Sequence, residues 1–254
     1  ALQRTVAIKE YMPSALAARL ADTRVVVKSE QHRETFEVGL KSFINEARLL
    51  AQFDHPALVK VFRFWAANGT AYMAMPLYEG GTLKQALKSM GAPPDEAWLR
   101  KLLVPLLDAI ELLHNADCLH RDIAPDNVLM APGSTPETPR PVLLDFGAAR
   151  RVIGGQTQAL TVILKPGYAP IEQYDEIPGM KQGPWTDLYA LGAVMHFAIT
   201  GKPPPPSVGR LVHDAWVPLS QAAAGRDSAG FLAALDAVLA ARPADRPRNV
   251  AQWR

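Results

Sequence analysis

The sequence predicts an α+β fold in which short strands come first and long helices follow. Apolar or alternating runs that are typical of strands lie at 6–9, 58–64 and 71–75, and an Asn68-Gly69 pair favours a hairpin turn between the last two. Patterns of helical periodicity lie at 43–53, 99–113, 186–199 and 231–239. With 254 residues, 48% of them hydrophobic, the chain is long enough to bury a sizeable core.

Composition excludes several classes of function. The formal net charge of +2 gives no reason to expect a nucleic acid partner. The longest leucine-rich stretch is interrupted by Pro105, Asp108 and Glu111, so we expect no membrane segment in this chain. Cys118 is the sole cysteine and cannot form an internal disulfide, which favours a reducing, cytoplasmic setting. The chain lacks an initial Met and a signal peptide, and we expect it to be a fragment trimmed at both ends.

A polar loop between two apolar runs, in the stretch 118–129 that reads CLHRDIAPDNVL, contains the first candidate site residues. It places Asp122 five residues before Asn127, and the apolar run 142–145 ends at a second acid, Asp145. A carboxylate that can accept a hydroxyl proton, beside an amide oxygen able to bind Mg²⁺, is the minimum equipment for phosphoryl transfer. These residues therefore predict a site for a metal ion and a phosphate.

Three motifs in this order resemble those of the eukaryotic-type (Hanks-type) protein kinases. They are Val6-Ala7-Ile8-Lys9, His120-Arg121-Asp122 with Asn127, and Asp145-Phe146-Gly147. The resemblance implies a single domain, 1–254, with a protein kinase-like, two-lobed fold: a small, mainly β N-lobe (1–75) with an αC helix, a hinge (76–81) and a larger α-helical C-lobe (82–254). The Pro170-Ile171-Glu172 segment is similar to that of bacterial serine/threonine kinases.

One motif of the family is not in this chain. The glycine-rich phosphate loop would precede Lys9, so the N-lobe is truncated before its third strand. Either the loop lies upstream of this chain, or the protein binds nucleotide weakly or not at all.

The resemblance also implies roles for individual residues. Lys9, paired with Glu46, would clamp the inner phosphates of ATP, and Asn127 and Asp145 would hold Mg²⁺. Asp122 would orient the acceptor hydroxyl and take up its proton. The adenine would contact Ala7, Leu129, the gatekeeper Met75 and the hinge residues Pro76, Leu77 and Tyr78. Two structural pairings follow as well: Asp187 with the backbone of the catalytic loop, and Arg246 with Glu172.

Two positions depart from the family pattern together. Serine/threonine kinases carry a lysine two residues after the catalytic aspartate, where this chain has Ala124, and a threonine where it has Lys165. We therefore expect Lys165 to supply the charge that Ala124 lacks, because a flexible ammonium works as a point charge. The alternative is that Ala124 is an inactivating substitution and Lys165 a surface lysine.

Arg121 marks the type of kinase that is switched by phosphorylation of its activation loop. The candidate acceptors are Thr157, Thr161 and Tyr168, and the two threonines are favoured because they follow Gly154-Gly155. The alternative is that both are plain loop threonines. Tyrosine kinases use an arginine where this chain has Asp126, so tyrosine specificity is disfavoured.

The sequence thus predicts an ATP- and Mg²⁺-dependent serine/threonine kinase that acts on a protein substrate. The rival from another class is a pseudokinase that serves as a nucleotide-binding or protein-binding scaffold. A small-molecule phosphotransferase is the third option, and the segment at Glu172 together with Arg246 favours the protein-directed branch.

Overall fold

The computed structural model describes residues 5–135, 137–145, 164–174 and 180–254. These residues belong to two compact units, the first containing 5–78 and the second the described residues from 79 onward. The boundary follows Tyr78, inside the predicted hinge 76–81. The strands are β1 (Val6–Glu10), β2 (Ala17–Arg19), β3 (Val25–Val27), β4 (Arg63–Ala67), β5 (Thr70–Pro76), β6 (Val128–Met130) and β7 (Pro141–Leu143). The α-helices are α1 (Arg33–Leu50), α2 (Leu83–Ser89), α3 (Glu96–His114), α4 (Pro184–Thr200), α5 (Ser207–Val212), α6 (Leu219–Ala222), α7 (Ala229–Val238) and α8 (Val250–Trp253).

The first unit is built on an antiparallel sheet with the strand order β1-β5-β4. The turn between β4 and β5 has positive φ at both Asn68 (53°) and Gly69 (73°), as the tight hairpin turns that match strand twist require. The predicted hairpin is therefore confirmed. The predicted strand 58–64 was placed too early, because β4 begins at Arg63. Val59 and Val61 are buried outside any strand, so their apolar character reflects core packing and not strand pairing.

Helix α1 packs on this unit and is longer than predicted. It begins at Arg33, ten residues before the predicted start at Phe43, because its polar first turns hide the periodicity. Ala51, which lies inside the predicted helix 43–53, is the exposed C-cap residue. The buried face consists of Phe36, Gly39, Phe43, Glu46, Ala47 and Leu50. Strand β3 (Val25–Val27) pairs with β2 in antiparallel register, and the sequence analysis missed β2.

The second unit is mainly helical and is centred on α4. Predicted at 186–199 and observed at Pro184–Thr200, α4 is buried on nearly all sides, as expected for the central helix of a core. Its Gly192 lets α7 approach closely, since a Cβ there would lie 2.6 Å from the Cγ2 atom of Val238. Helices α3 and α7 also lie within three residues of their predicted bounds. The short helices α5, α6 and α8 span too few turns to show a period.

The β6–β7 hairpin lies beside α3 in the second unit. Val128 pairs with Leu143 in antiparallel register, and the described residues 131–135 and 137–140 lie between the two strands. The apolar run 142–145 forms a strand only as far as Leu143, so Asp145 follows the strand and is not part of it. Of the helices in the described ranges, none combines the length and the apolar character that a bilayer crossing would need.

Candidate active site

Lys9 and Glu46 form an ion pair in the first unit. Lys9 lies on β1 opposite Met73 of β5, and its Nζ is 3.5 Å from Oε1 of Glu46 on α1. The side chain of Glu46 is only 7% exposed, whereas that of Lys9 is 34% exposed. The Nζ atom also lies 6.0 Å from the centre of the Phe43 ring. The pair that the resemblance implies is therefore present, with the acid buried and the ammonium partly open to solvent.

The predicted adenine residues of the first unit lie along the same strands. Ala7 pairs with Met75, and alternation places Ala7 and Lys9 on one face of β1. Pro76 ends β5, and burial raises the pKa of the half-buried Tyr78. In the second unit, Leu129 is half-buried on β6 and pairs with Val142.

The backbone of the loop 120–127 is held by hydrogen bonds to the side chain of Asp187 on α4. The backbone N–H of His120 donates to Oδ2 of Asp187 and that of Arg121 donates to Oδ1, both at 2.8 Å. The Nε2 atom of His114 lies 2.9 Å from Oδ2. Burial alone would raise the pKa of Asp187, but the His114 ring and the backbone donors outweigh burial and hold that pKa below its ordinary value. The predicted contact of Asp187 with the loop backbone is thus confirmed.

The buried ring of His120 connects this loop to the residue before Asp145. Its Nε2 lies 3.0 Å from the carbonyl oxygen of Leu144, and its Nδ1 lies 3.4 Å from the N–H of Asp122. A carbonyl can only accept and an N–H can only donate, so the ring carries its proton on Nε2 and is neutral. Burial lowers the pKa of His120, which agrees with a neutral ring.

Asp122, Asn127 and Asp145 are brought together by the hairpin. The Nδ2 atom of Asn127 donates to Oδ2 of Asp122 at 2.6 Å and to its backbone carbonyl at 2.9 Å. The backbone carbonyl of Asn127 accepts from the N–H of Leu144 at 2.9 Å, which places Asp145 next in the chain. Positive φ angles at Arg121 (66°) and Asp145 (37°) mark both loops as strained, as functional loops often are.

The side-chain oxygens of Asn127 and Asp145 are of the kinds that bind a magnesium ion. Because two acceptors fix the nitrogen of the Asn127 amide, its oxygen points the other way, and no residue within the described ranges donates to that oxygen. Amide and carboxylate oxygens are the ligands that Mg²⁺ takes from proteins. Asn127 and Asp145 therefore carry oxygen types that fit Mg²⁺, and their binding of the ion stays a prediction.

Lys165 lies against two aspartates of the same loop. Its Nζ is 3.2 Å from Oδ1 of Asp122 and 3.1 Å from Oδ1 of Asp126. Ala124, where the family has its lysine, is fully buried. The structure therefore brings the Lys165 ammonium to Asp122. Sequence reasoning did not foresee the contact with Asp126.

Three further contacts secure the segment around Glu172. Arg246 donates to Oε1 of Glu172 at 2.7 Å with both side chains fully buried, which confirms the predicted pair. Thr186 donates to the same oxygen at 2.9 Å. Gln173 was missed by sequence reasoning, and it donates to the carbonyl of Arg121 at 2.7 Å. Only its adjacency to Glu172 could have indicated this role.

Several predicted residues lie outside the described ranges, namely Phe146, Gly147, Thr157 and Thr161. The regulatory roles of Arg121, Thr157 and Thr161 stay predictions.

A family model described as "Protein kinase domain" matches residues 15–223. Among curated relatives, the sperm motility kinase 2A of Mus musculus is 34% identical over 191 residues, which cover 73% of this chain and 34% of the relative. The serine/threonine-protein kinase PknA of Nostoc sp. is 30% identical over 196 residues, covering 72% of this chain and 33% of the relative. The chain thus spans about a third of the length of these curated relatives.

Solved structures agree with this match. The apo form of PpkA-294 is 48% identical, with a TM-score of 0.85, and the match covers 99% of this chain and 86% of that one. The PknI kinase domain of Mycobacterium tuberculosis, at 21% identity and a TM-score of 0.63, shares the fold; that match covers 98% of this chain and 82% of that one.

Proposed function

The chain belongs to the protein kinase family, and on that premise we propose that it is a serine/threonine kinase that transfers the γ-phosphate of ATP to a protein hydroxyl. The observation that carries the proposal is the arrangement of Asp122, Asn127 and Asp145 around one hairpin, with an ammonium beside the first.

Asp122 is the residue that we assign to the acceptor hydroxyl. Its Oδ2 accepts from Asn127 and its Oδ1 faces Lys165, so the carboxylate is held in one orientation. Its side chain is 31% exposed, which leaves room for an incoming hydroxyl. A carboxylate in this position orients the nucleophile and takes up its proton as the bond to phosphorus forms.

Asn127 and Asp145 are the residues that would hold Mg²⁺. When bound, the ion neutralises phosphate charge and fixes the orientation of the transferred group. The chain itself contributes a rigid backbone next to Asp145. The N–H of Leu144 donates to the carbonyl of Asn127, and its carbonyl accepts from the His120 ring, so the residue before Asp145 is fixed.

Lys9 and Lys165 would supply the remaining positive charge. The Glu46 carboxylate holds Lys9 for the inner phosphates, and Lys165 stands in for the lysine that the family places at Ala124. Such charges accelerate transfer because they are in place before charge develops. The predicted contacts of adenine with Ala7, Leu129, Met75, Pro76 and Tyr78 belong to the same proposal.

A pseudokinase scaffold is the second candidate, and Ala124 is the observation that favours it. In that case Lys165 pairs with Asp122 and Asp126 without any role in transfer, and the protein binds nucleotide or a partner protein without turnover.

The test is transfer of labelled phosphate from Mg²⁺-ATP to the protein itself and to dephosphorylated casein, using the full-length natural protein. We expect transfer by the wild type and a loss of about 10²- to 10⁴-fold in D122N, since general bases contribute factors of that size. D54N is the matched control, because Asp54 is an exposed aspartate in a surface pair with Lys60. Binding of Mg²⁺-ATP in a thermal-shift assay without any transfer would overturn the kinase assignment in favour of the scaffold.

A further inference from the structure

Asp126 and Lys165 form a contact that the proposed function does not use. The Lys165 ammonium bridges the loop 120–127 at two points, Asp122 at 3.2 Å and Asp126 at 3.1 Å. The two aspartates differ in their other partners: Asp122 also accepts from Asn127, whereas the Asp126 carboxylate has only the Lys165 hydrogen bond among the described residues. Asp126 is therefore available to hold the ammonium without giving up another hydrogen bond.

The backbone of Lys165 is fixed, so only its side chain needs an anchor. The carbonyl of Lys165 accepts from the N–H groups of Tyr168 and Ala169 at 3.0 Å. Gly167 in the same turn has a φ of 85°, and a Cβ there would lie 2.6 Å from the carbonyl oxygen of Pro204. The turn is thus locked in place, whereas the lysine side chain is 28% exposed and has a long flexible stem. Without a second carboxylate, that stem would sample many rotamers away from Asp122.

We propose that Asp126 is a positioning residue that holds the Lys165 ammonium beside Asp122, so that a lysine from outside the loop can take the place of the one missing at Ala124. This inference rests on the proposed kinase function. Its rival is that Asp126 contacts a basic side chain of the protein substrate and pairs with Lys165 only when no substrate is bound.

The kinetic test compares D126N, D126E, K165A and the double variant D126N/K165A. We expect D126N to lower kcat by about threefold to thirtyfold, with KM for ATP and for casein changed less than twofold, because misplacing a charged group reduces the rate more than it reduces binding. D126E should recover most of the rate, since it keeps the charge. In the K165A background, D126N should cost nothing further, because the residue that it positions is gone.

A second variant moves the lysine from position 165 to position 124. The variant A124K/K165T restores the family's pair of residues, and there D126N should have no effect on kcat. Because Ala124 is fully buried, this variant is used only if it melts within a few degrees of the wild type. The D126N/K165A cycle decides the matter in either case.

A readout without catalysis separates failure of this inference from failure of the proposed function. Labelling of lysines by an amine-reactive reagent, followed by mass spectrometry, should show Lys165 labelled about threefold to tenfold faster in D126N, because the ammonium leaves its two carboxylates. D54N supplies the control, since it should release Lys60 from its 2.9 Å pair with Asp54 and leave Lys165 unchanged.

The outcomes are distinct. An inactive wild type would refute the kinase assignment, and the labelling result alone would then judge the contact. Three results would each overturn the positioning role. They are unchanged Lys165 labelling in D126N, kcat losses of D126N and K165A that multiply in the double variant, and a raised KM for casein at constant kcat.

Discussion

Replacing Arg246 by alanine tests how much the buried ion pair in the second unit contributes to stability. Arg246 donates to Glu172 at 2.7 Å and to the carbonyls of Ala240 and Ala241 at 2.7 Å and 2.8 Å, and its guanidinium lies 4.5 Å from the centre of the Tyr189 ring. Both charged side chains are fully buried. R246A therefore leaves the Glu172 carboxylate in the core without its cation.

The expected cost is about 3–5 kcal/mol, the usual range for breaking a buried pair on one side. For a domain of this size each kcal/mol corresponds to about 2–4 °C in Tm, so Tm should fall by roughly 6–20 °C. The double variant E172M/R246M removes both charges and keeps apolar volume, so it should recover at least half of the loss. R254A is the matched control, because Arg254 pairs with Asp108 on the surface and such pairs contribute about 0–1 kcal/mol.

Urea unfolding followed by tryptophan fluorescence measures these free energies, and calorimetry measures Tm. A loss below about 1 kcal/mol in R246A would show that water or another cation satisfies Glu172. If E172M/R246M lost as much stability as the sum of the losses measured for E172M and for R246M, the two residues would act independently, and either result would refute the argument.

Three further predictions follow from the same contacts. Burial lowers the pKa of His120 and of His196 below the unfolded value of about 6.5. Unfolding at acidic pH therefore takes up protons. As the pH drops from 6.5 toward the folded pKa values, the free energy of unfolding should fall by up to about 1.4 kcal/mol per pH unit for each histidine. Urea titrations between pH 7.5 and 5 measure this, and a stability that is constant or rises toward pH 5 would contradict it. G80A should lower the free energy of unfolding by about 3 kcal/mol or more, because the new Cβ would lie 1.7 Å from the carbonyl oxygen of Met130. G230A, with open space around it in α7, should be neutral or slightly stabilising. Equal melting temperatures for the two variants would be inconsistent with this packing. T82A removes the hydroxyl that caps α2 at the N–H of Gln85 and should cost about 1 kcal/mol in the same urea assay, which an unchanged midpoint would rule out.

Local patterns were enough to predict the long elements and the identities of the central site residues. Helix α3 carries its periodicity over many turns, α4 is a long apolar run, and the Asn68-Gly69 turn has the residues that positive φ requires. Asp122, Asn127 and Asp145 stand at fixed spacings in short motifs, so their proximity to the β6–β7 hairpin follows from chain connectivity. The strand at 58–64 and the start of α1 were misplaced because burial without pairing, and a helix with polar first turns, leave no clear period.

Some contacts between distant segments were predicted by neither the sequence pattern nor the resemblance, and the tertiary structure alone decided them. The hydrogen bond of Lys165 to Asp126 spans 39 residues, and that of Gln173 to the Arg121 carbonyl spans 52. Each depends on how far one side chain reaches after the backbone turn that carries it has docked. Spacing along the chain records which residue types are present and in what order, but the direction of a flexible side chain is set by the atoms packed around it, and only the folded chain supplies those.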